Sequence, residues 1–481
     1  MIYVLLLPWL GVCLIALFRH NPNIRELASA LIATALFYCV ILLYPYASSG
    51  LELKLFDLFA GIPFSFKLEP LGMIFICVAS LLWIVNTLYS IGYMRANKEN
   101  NQTRFYICFA IAIGSTMGLA LSANLLTLFI FYEILTLSTY PLVTHKGTPE
   151  AVKGGRVYLG YLLGSSIAFL LLAIIWTWAT TGTLNFQIGG ILKDDVDSGT
   201  GSIIFLLYLF GIGKAAVMPM HRWLPAAMVA PTPVSALLHA VAVVKAGVFT
   251  LTKIVIYIFG IDYLASIPAS QWGVYLAGTT IVIASIIALR QDNLKRRLAY
   301  STISQLSYVV MAACLATPMA IIAAALHIVA HAFGKITLFF AAGSIYTAHH
   351  KTNISQLQGI GRAMPWTMGA FSIAAISMIG LPPAAGFISK WYLLSGTLQG
   401  TGYNWFAISV IFVSTLLNAG YFLPIIYAAY FKPALNNEYR HYQESPKFMV
   451  IALCSTALLT IGLFFYAEPF LDLIRAIIPL E

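Results

Sequence analysis

Apolar runs of about 20 residues follow one another along the whole 481-residue chain, each long enough to cross a hydrocarbon core of about 30 Å as a helix. In lipid every backbone polar group must be satisfied inside the segment or by a closed barrel. The alternating segments of ~10 residues that mark a barrel are absent. Composition agrees, because 60% of the residues are apolar and 9% charged, too few charges to cover a water-soluble surface. The expected fold is an all-α polytopic membrane protein, with residues 1–481 as a single membrane domain.

About fourteen spans are expected, at 2–18, 28–46, 70–93, 105–121, 124–143, 157–178, 202–219, 234–258, 272–290, 299–316, 319–345, 366–397 (interrupted), 405–430 and 447–470. No small-residue cleavage site follows the first, which reads as a retained span rather than a signal peptide. With the N-terminus outside, eighteen lysines and arginines fall in inward loops and four (Lys54, Lys67, Lys193, Arg475) in outward ones. That bias predicts both termini outside. Lys253, near an outer helix end, is expected to snorkel to the interface. The net charge of +10 resides in these loops, so the expected partner is a lipid bilayer and not nucleic acid. The six cysteines (Cys13, Cys39, Cys77, Cys108, Cys314, Cys454) lie far apart in apolar runs with no CxxC pair, as small buried hydrophobes would.

Four basic residues remain at membrane depth, Lys214, Lys245, Lys335 and Lys390, with Glu133 as the one carboxylate and His327 and His331 as the clear histidines; His239 opens the span of Lys245. A lysine near the middle of a membrane helix is unfavourable by about 2.5–3.5 kcal/mol, which makes each a functional-site candidate. Two segments also break helix at this depth. One runs from Gly211 to Lys253 with Pro219, Pro225, Pro231 and Pro233; the other, at 376–393, has Gly380, Pro382, Pro383 and Gly386 beside Lys390. Paired interruptions in two halves point to inverted repeats around a transport site. The loop 182–201 is polar and mildly amphipathic, as a segment lying on the membrane surface would be.

Each candidate has a structural alternative. Glu133 and Lys214 form either a switchable ion pair or a fixed one that locks helices together. Lys214 sits eight residues before Arg222, about 12 Å of helix, too far for an easy snorkel. His327, His331 and Lys335 recur at i, i+4 and i+8 and share one helix face. That spacing suits a hydrated proton lane, with structural hydrogen bonding or metal binding as alternatives. One helix cannot place both histidines on opposite sides of a single haem. Lys390 either ends the row or satisfies carbonyls freed by the break, and the two roles are compatible. Tyr132 and Trp223 are expected to pack. The rival functions are a redox enzyme with its own quinone or haem site, and a scaffold component that transports nothing.

FYEILTLSTYPLV around Glu133, KAAVMPMHRWLPAAMVAPTPVSALLHAVAVVKAG from Lys214 to Lys245, NLKRRLAYSTISQLSY at 293–308, HIVAHAFGKITLFFAAGSI at 327–345 and GLPPAAGFISKWYLL at 380–394 resemble a known family. It comprises the proton-translocating membrane subunits of respiratory complex I (an NADH-quinone oxidoreductase) and the related subunits of Mrp-type multisubunit cation/proton antiporters. The resemblance implies fourteen helices with two inverted five-helix repeats and discontinuous helices seven and twelve. The repeats would occupy 105–258 and 272–430, after N-terminal helices at 1–100 and before a C-terminal helix at 447–470. It implies proton-translocating roles for Glu133, Lys214, Lys245, His327, His331 and Lys390; Lys335 joins them on helical spacing. No redox cofactor and no metal are implied. The partners would be other membrane subunits of an antiporter or respiratory-type complex, in a bacterial or archaeal cell membrane, with protons moved and sodium a second candidate ion. STLLNAGYFLPIIYAAYF at 414–431 and Lys390 favour the D-type component of Mrp sodium/proton antiporters. Proton-pumping subunits of quinone oxidoreductases, membrane-bound hydrogenases and inorganic-carbon uptake complexes are the alternative. Ending after its fourteenth expected span, the sequence is expected to lack the long lateral helix of the largest complex I subunit.

Overall fold

The computed structural model describes all residues except 60, 193–195, 400–403, 435–438, 440 and 479–481. Lys193 and Arg440 of the charge tally therefore lie outside the described residues, as does the side chain of His239. The chain begins with α1 (Ile2–Leu17) and α2 (Pro22–Leu43), then a hairpin of β1 (Glu52–Phe59) and β2 (Ile62–Lys67), antiparallel with Glu52 opposite Lys67. Next come α3 (Pro70–Ala96), α4 (Gln102–Ala120), α5 (Leu125–Val143), α6 (Pro149–Ser165) and, after a π-helical turn, α7 (Leu171–Thr181). The first broken region contains α8 (Ser198–Gly211), a 3-10 turn at Gly213–Ala215, α9 (Trp223–Ala226), α10 (Thr232–Ala236) and α11 (Val243–Ile254). π-Helical turns at Leu237–Val241 and Val255–Phe259 flank α11. Then follow α12 (Ile261–Ser266), α13 (Pro268–Arg290), α14 (Leu294–Leu315), α15 (Pro318–His349), α16 (Ile360–Ala363) and α17 (Pro365–Ile379). The chain continues through α18 (Ala385–Gln399), α19 (Asn404–Phe431), α20 (Lys447–Phe465) and α21 (Glu468–Arg475).

Among the described residues, ten helices are long and apolar enough to cross a membrane. The other four expected spans fall on the shorter α1, α8 and α17 and on the interrupted stretch from α10 to the π-turn after α11. Helix starts follow local chemistry: the side chains of Asn21, Asn124, Thr148, Asp197, Asn293 and Thr317 accept backbone N–H groups of the first turns. In α14 and α15, 94% of the most apolar window is buried, against 28% from Pro22 to Tyr46, so the former pair lies at the centre and the latter at the rim.

Two of the loops have a definite structure, and one expectation is corrected. The outward loop before α3 is a β-hairpin, which joins the helical layer where Lys67 N–H donates to Leu121 O at 2.6 Å. The loop after α7 packs over helix ends, with Phe186 N–H bonded to Ala123 O at 3.0 Å and Ile191 N–H to Ile258 O at 2.8 Å. Of the cysteines, Cys77, Cys108 and Cys314 are buried, whereas Cys13 is exposed and Cys39 and Cys454 are half-buried at the bundle's surface. Ile2 shares a cavity wall with Leu53, Leu55 and Phe64 of the hairpin, and Ala476 shares another with Lys67 at its end, so this end of the bundle is here called the hairpin face.

Gly247 sets how closely the first break approaches α11. A β-carbon there would stand 2.4 Å from Lys214 C and from Ala215 N. Gly247→Val is expected to destabilise the protein by about 1–3 kcal/mol through overpacking, measured as a lowered thermal midpoint of the purified protein.

On the opposite face His145 is buried in the turn after α5, where burial first and the Arg104 guanidinium second hold its imidazole below the usual 6.5. The folded state then binds fewer protons than the unfolded one. Its contribution is complete above pH 6.5 and is lost as the pH falls below that value. His145→Gln should flatten stability in that acidic window, as read by denaturation at a series of pH values.

Candidate functional site

Chain interruption, not regular helix, places the first lysine. α8 stops at Gly211, and the 3-10 turn Gly213–Ala215 carries Lys214 into the bundle, fully buried. Its Nζ donates to Tyr132 O at 2.8 Å and to Thr136 Oγ1 at 2.6 Å, and lies 3.1 Å from the Tyr132 ring centroid. Its backbone N–H donates to the Tyr132 hydroxyl at 3.2 Å, and Trp223 Nε1 caps Gly213 O at 2.9 Å. Tyr132 and Trp223, expected only to pack, are thus contacts of the site.

The expected ion pair is not closed in this structure. Both carboxylate oxygens of Glu133 are buried without a hydrogen-bond partner among the described residues, and the Lys214 ammonium rests on Thr136. Glu133 and Thr136 are three residues apart on α5, so they project from neighbouring points of one helix face.

The remaining candidates form a connected row. Lys245 on α11 is fully buried, with Nζ 2.7 Å from His331 Nδ1. The rings of His331 and His327 are 6.0 Å apart on α15, as their i, i+4 spacing requires. His327 Nδ1 lies 2.8 Å from Ser389 Oγ, and its ring stands 5.7 Å from that of Tyr308. Ser389 precedes Lys390, whose ammonium sits 5.1 Å from the same Tyr308 ring and donates to Ile379 O at 2.7 Å and Thr415 Oγ1 at 3.3 Å.

Lys335 shares the α15 face but takes a different direction. Its Nζ donates to Ser301 Oγ at 2.7 Å and Leu298 O at 3.3 Å. Ser301 also accepts from the Tyr421 hydroxyl at 2.9 Å, and Asn418 Oδ1 accepts from the same hydroxyl. Lys335 therefore leads into a pocket of hydroxyls beside the row.

Between α17 and α18 the second break runs from Gly380, at φ +92°, to Ala384, and Pro382–Pro383 is cis, as Met218–Pro219 is in the first. The carbonyls it frees are taken by side chains: Ile379 O by Lys390, and Met378 O by Gln305 at 3.2 Å and Asn418 at 3.4 Å. Gly386 allows this fold, since a β-carbon would fall 1.8 Å from Ser377 O. Of the predicted break residues, Pro219 and Pro225 lie in or beside the first interruption and Pro382, Pro383 and Gly386 in or beside the second.

Sequence reasoning missed Thr136, Ser301, Tyr308, Ser389 and Thr415, uncharged residues that apolar helices carry elsewhere without a role. Spacing offered one signal, as Thr136 stands at i+3 from Glu133. It also misjudged Lys253 and Glu69. Lys253 does not snorkel: it is fully buried, 3.1 Å from the buried carboxylate of Glu69, so Glu133 is not the only carboxylate inside.

Chemically, ammonium, imidazole and hydroxyl groups in this order both donate and accept protons, and no step between neighbours requires a covalent bond other than to hydrogen.

Similarity to known proteins agrees with this geometry. Residues 122–418 match the family described as NADH:quinone oxidoreductase/Mrp antiporter, TM. "NADH-quinone oxidoreductase subunit N" of Desulforudis audaxviator is 34% identical over 369 residues, covering 76% of this chain and 72% of that protein. The A/B component of a probable K(+)/H(+) antiporter of Rhizobium meliloti is 30% identical, covering 92% of this chain and 45% of that one. The chain spans about half the length of several curated relatives it matches. Among solved structures, the Mrp complex from Dietzia sp. DQ12-45-1b superposes with a TM-score of 0.85 at 26% identity, over 99% of this chain and 52% of that chain. A chain of the archaeal membrane-bound sulfane sulfur reductase shares the fold, with a TM-score of 0.85 at 23% identity over 98% and 96% of the two chains. With a family match over more than half its length and a relative 34% identical over most of both chains, the chain belongs to the NADH:quinone oxidoreductase/Mrp antiporter transmembrane family.

Proposed function

We propose that this chain moves protons across a membrane as one component of a multisubunit complex, along Glu133, Lys214, Lys245, His331, His327 and Lys390. The observation that carries this reading is the 2.7 Å contact between Lys245 and His331, which joins the half containing the first break to the half containing the second. Glu133 and Lys214 are its switchable pair, in the open state here. The ammonium rests on Thr136 and reaches Glu133 by moving about one helical turn, and closing or opening the pair changes how firmly Lys214 holds its proton. Lys335 with its hydroxyl pocket is a side store on the row, and Lys390 is the terminal site of the second half.

Residues 105–258 and 272–430 are the two repeats of this reading, each with one break. The complex is a Mrp-type sodium/proton antiporter with this chain as its D-type component. Its neighbours are other membrane subunits, and it lies in a bacterial or archaeal cell membrane with both termini outside. A second reading, a proton-pumping subunit of an NADH-quinone oxidoreductase, is favoured by the 34% identity to the N-type relative. The two readings share the proton row and differ in what drives it.

Lys214→Ala in the intact complex, reconstituted into vesicles, should lower proton transport by about a hundredfold while the complex still assembles. Unchanged transport overturns the row. Glu133→Gln should slow turnover with assembly intact, and wild-type turnover in that variant removes the switchable pair. Coupled sodium uptake separates the antiporter from a quinone-driven complex, which would instead couple proton transport to quinone reduction.

A further inference from the structure

On the hairpin face, away from the row, a second buried ion pair has a cavity beside it. Glu69 occupies the N-cap position of α3, where a carboxylate ordinarily bonds the first free N–H groups, yet its side chain makes no such bond. It turns instead to Lys253, 3.1 Å away and fully buried. The Lys253 ammonium also donates to Ser122 O at 2.8 Å and lies 4.3 Å from the Phe186 ring centroid. A cavity of about 170 Å³, lined by Lys67, Glu69, Phe186, Ile188 and Tyr257, adjoins the pair, with room for several water molecules. The buried hydroxyl of Tyr257, on this wall, finds no hydrogen-bond partner among the described residues. The Thr250 hydroxyl, one helical turn from Lys253 on the side toward Lys245, is buried in the same condition.

A pair that served only to tie α3 to α11 would need neither a water-sized cavity adjoining it nor two spare hydroxyls along its helix. Burying such a pair gains little stability over apolar residues of the same volume. We propose that Glu69 and Lys253 are a proton port through which the first half exchanges protons with the aqueous phase on the hairpin face, independently of Lys390. This rests on the proton-carrying reading of the row. In the outgoing step the Lys253 ammonium gives its proton to the Glu69 carboxylate, leaving a neutral amine and a neutral carboxylic acid. The acid releases the proton to water in the cavity. The amine is reprotonated from Lys245, eight residues or about 12 Å back along α11, past Thr250. Uptake is the same sequence reversed.

The test uses the intact complex in vesicles, with Lys214→Ala in parallel. The double variant Glu69→Gln/Lys253→Met removes the pair without leaving an isolated buried charge. It should assemble and transport protons at least about tenfold more slowly. Wild-type transport in the double variant with transport lost in Lys214→Ala overturns the port and leaves the row standing. Transport retained in Lys214→Ala overturns the row and the port with it. If the double variant does not assemble, Ile188→Cys at the cavity wall decides. Block by a membrane-impermeant thiol reagent from one side only, relative to the unlabelled variant and the wild type, supports the port. Labelling without block overturns it.

Discussion

A helix interrupted inside a bilayer leaves carbonyls that no water or lipid can satisfy, and this constraint organises the molecule. Both breaks meet it with side chains. In the second, Lys390 takes Ile379 O while Gln305 and Asn418 share Met378 O; in the first, Trp223 takes Gly213 O. The turn of the first break carries Lys214 itself, while Lys390 sits on the opening turns of α18 just after the second. The structural role of Lys390 and the proton-carrying role proposed for it fit one arrangement, since an ammonium that is to leave a carbonyl for a proton acceptor must first have that carbonyl as a resting place. Thr136 and Tyr132 O serve Lys214 in the same way.

Much of this was legible from residues alone. Apolar runs located the crossings, and the four mid-span lysines marked the site because each is unfavourable in lipid. The i, i+4, i+8 spacing of His327, His331 and Lys335 put them on one face of α15. It did not separate Lys335, which turns toward Ser301 and Tyr421, from the two histidines that continue the row. That distinction depends on which neighbouring helix presents a hydroxyl, a property of packing with no local signature. Lys253 was misjudged for a related reason: position near a helix end says how far water is along the axis, and nothing about what folds over that end. Here the hairpin and the segment around Phe186 cover it.

α11 links these environments. Its Gly247 touches the Lys214 turn, its Lys245 meets His331 on α15, and its Lys253 meets Glu69 ahead of α3. π-Helical turns bound it on both sides, and such turns occur mostly as single bulges within α-helices, frequently at functional sites. In the proposed proton row, a shift of this one segment would change the 2.7 Å contact to His331 and the 3.1 Å contact to Glu69 together. It would also press on the backbone that holds Lys214, because close packing at Gly247 leaves no slack to absorb the movement. In that proposal, coupling between the first break and the second half would need no large motion, only two positions of α11, one with Lys214 on Thr136 and the other with Lys214 toward Glu133. The carboxylate of Glu133, which has no hydrogen-bond partner among the described residues, would supply the energetic difference between them, since a buried carboxylate without a partner is unfavourable and closing the pair relieves it.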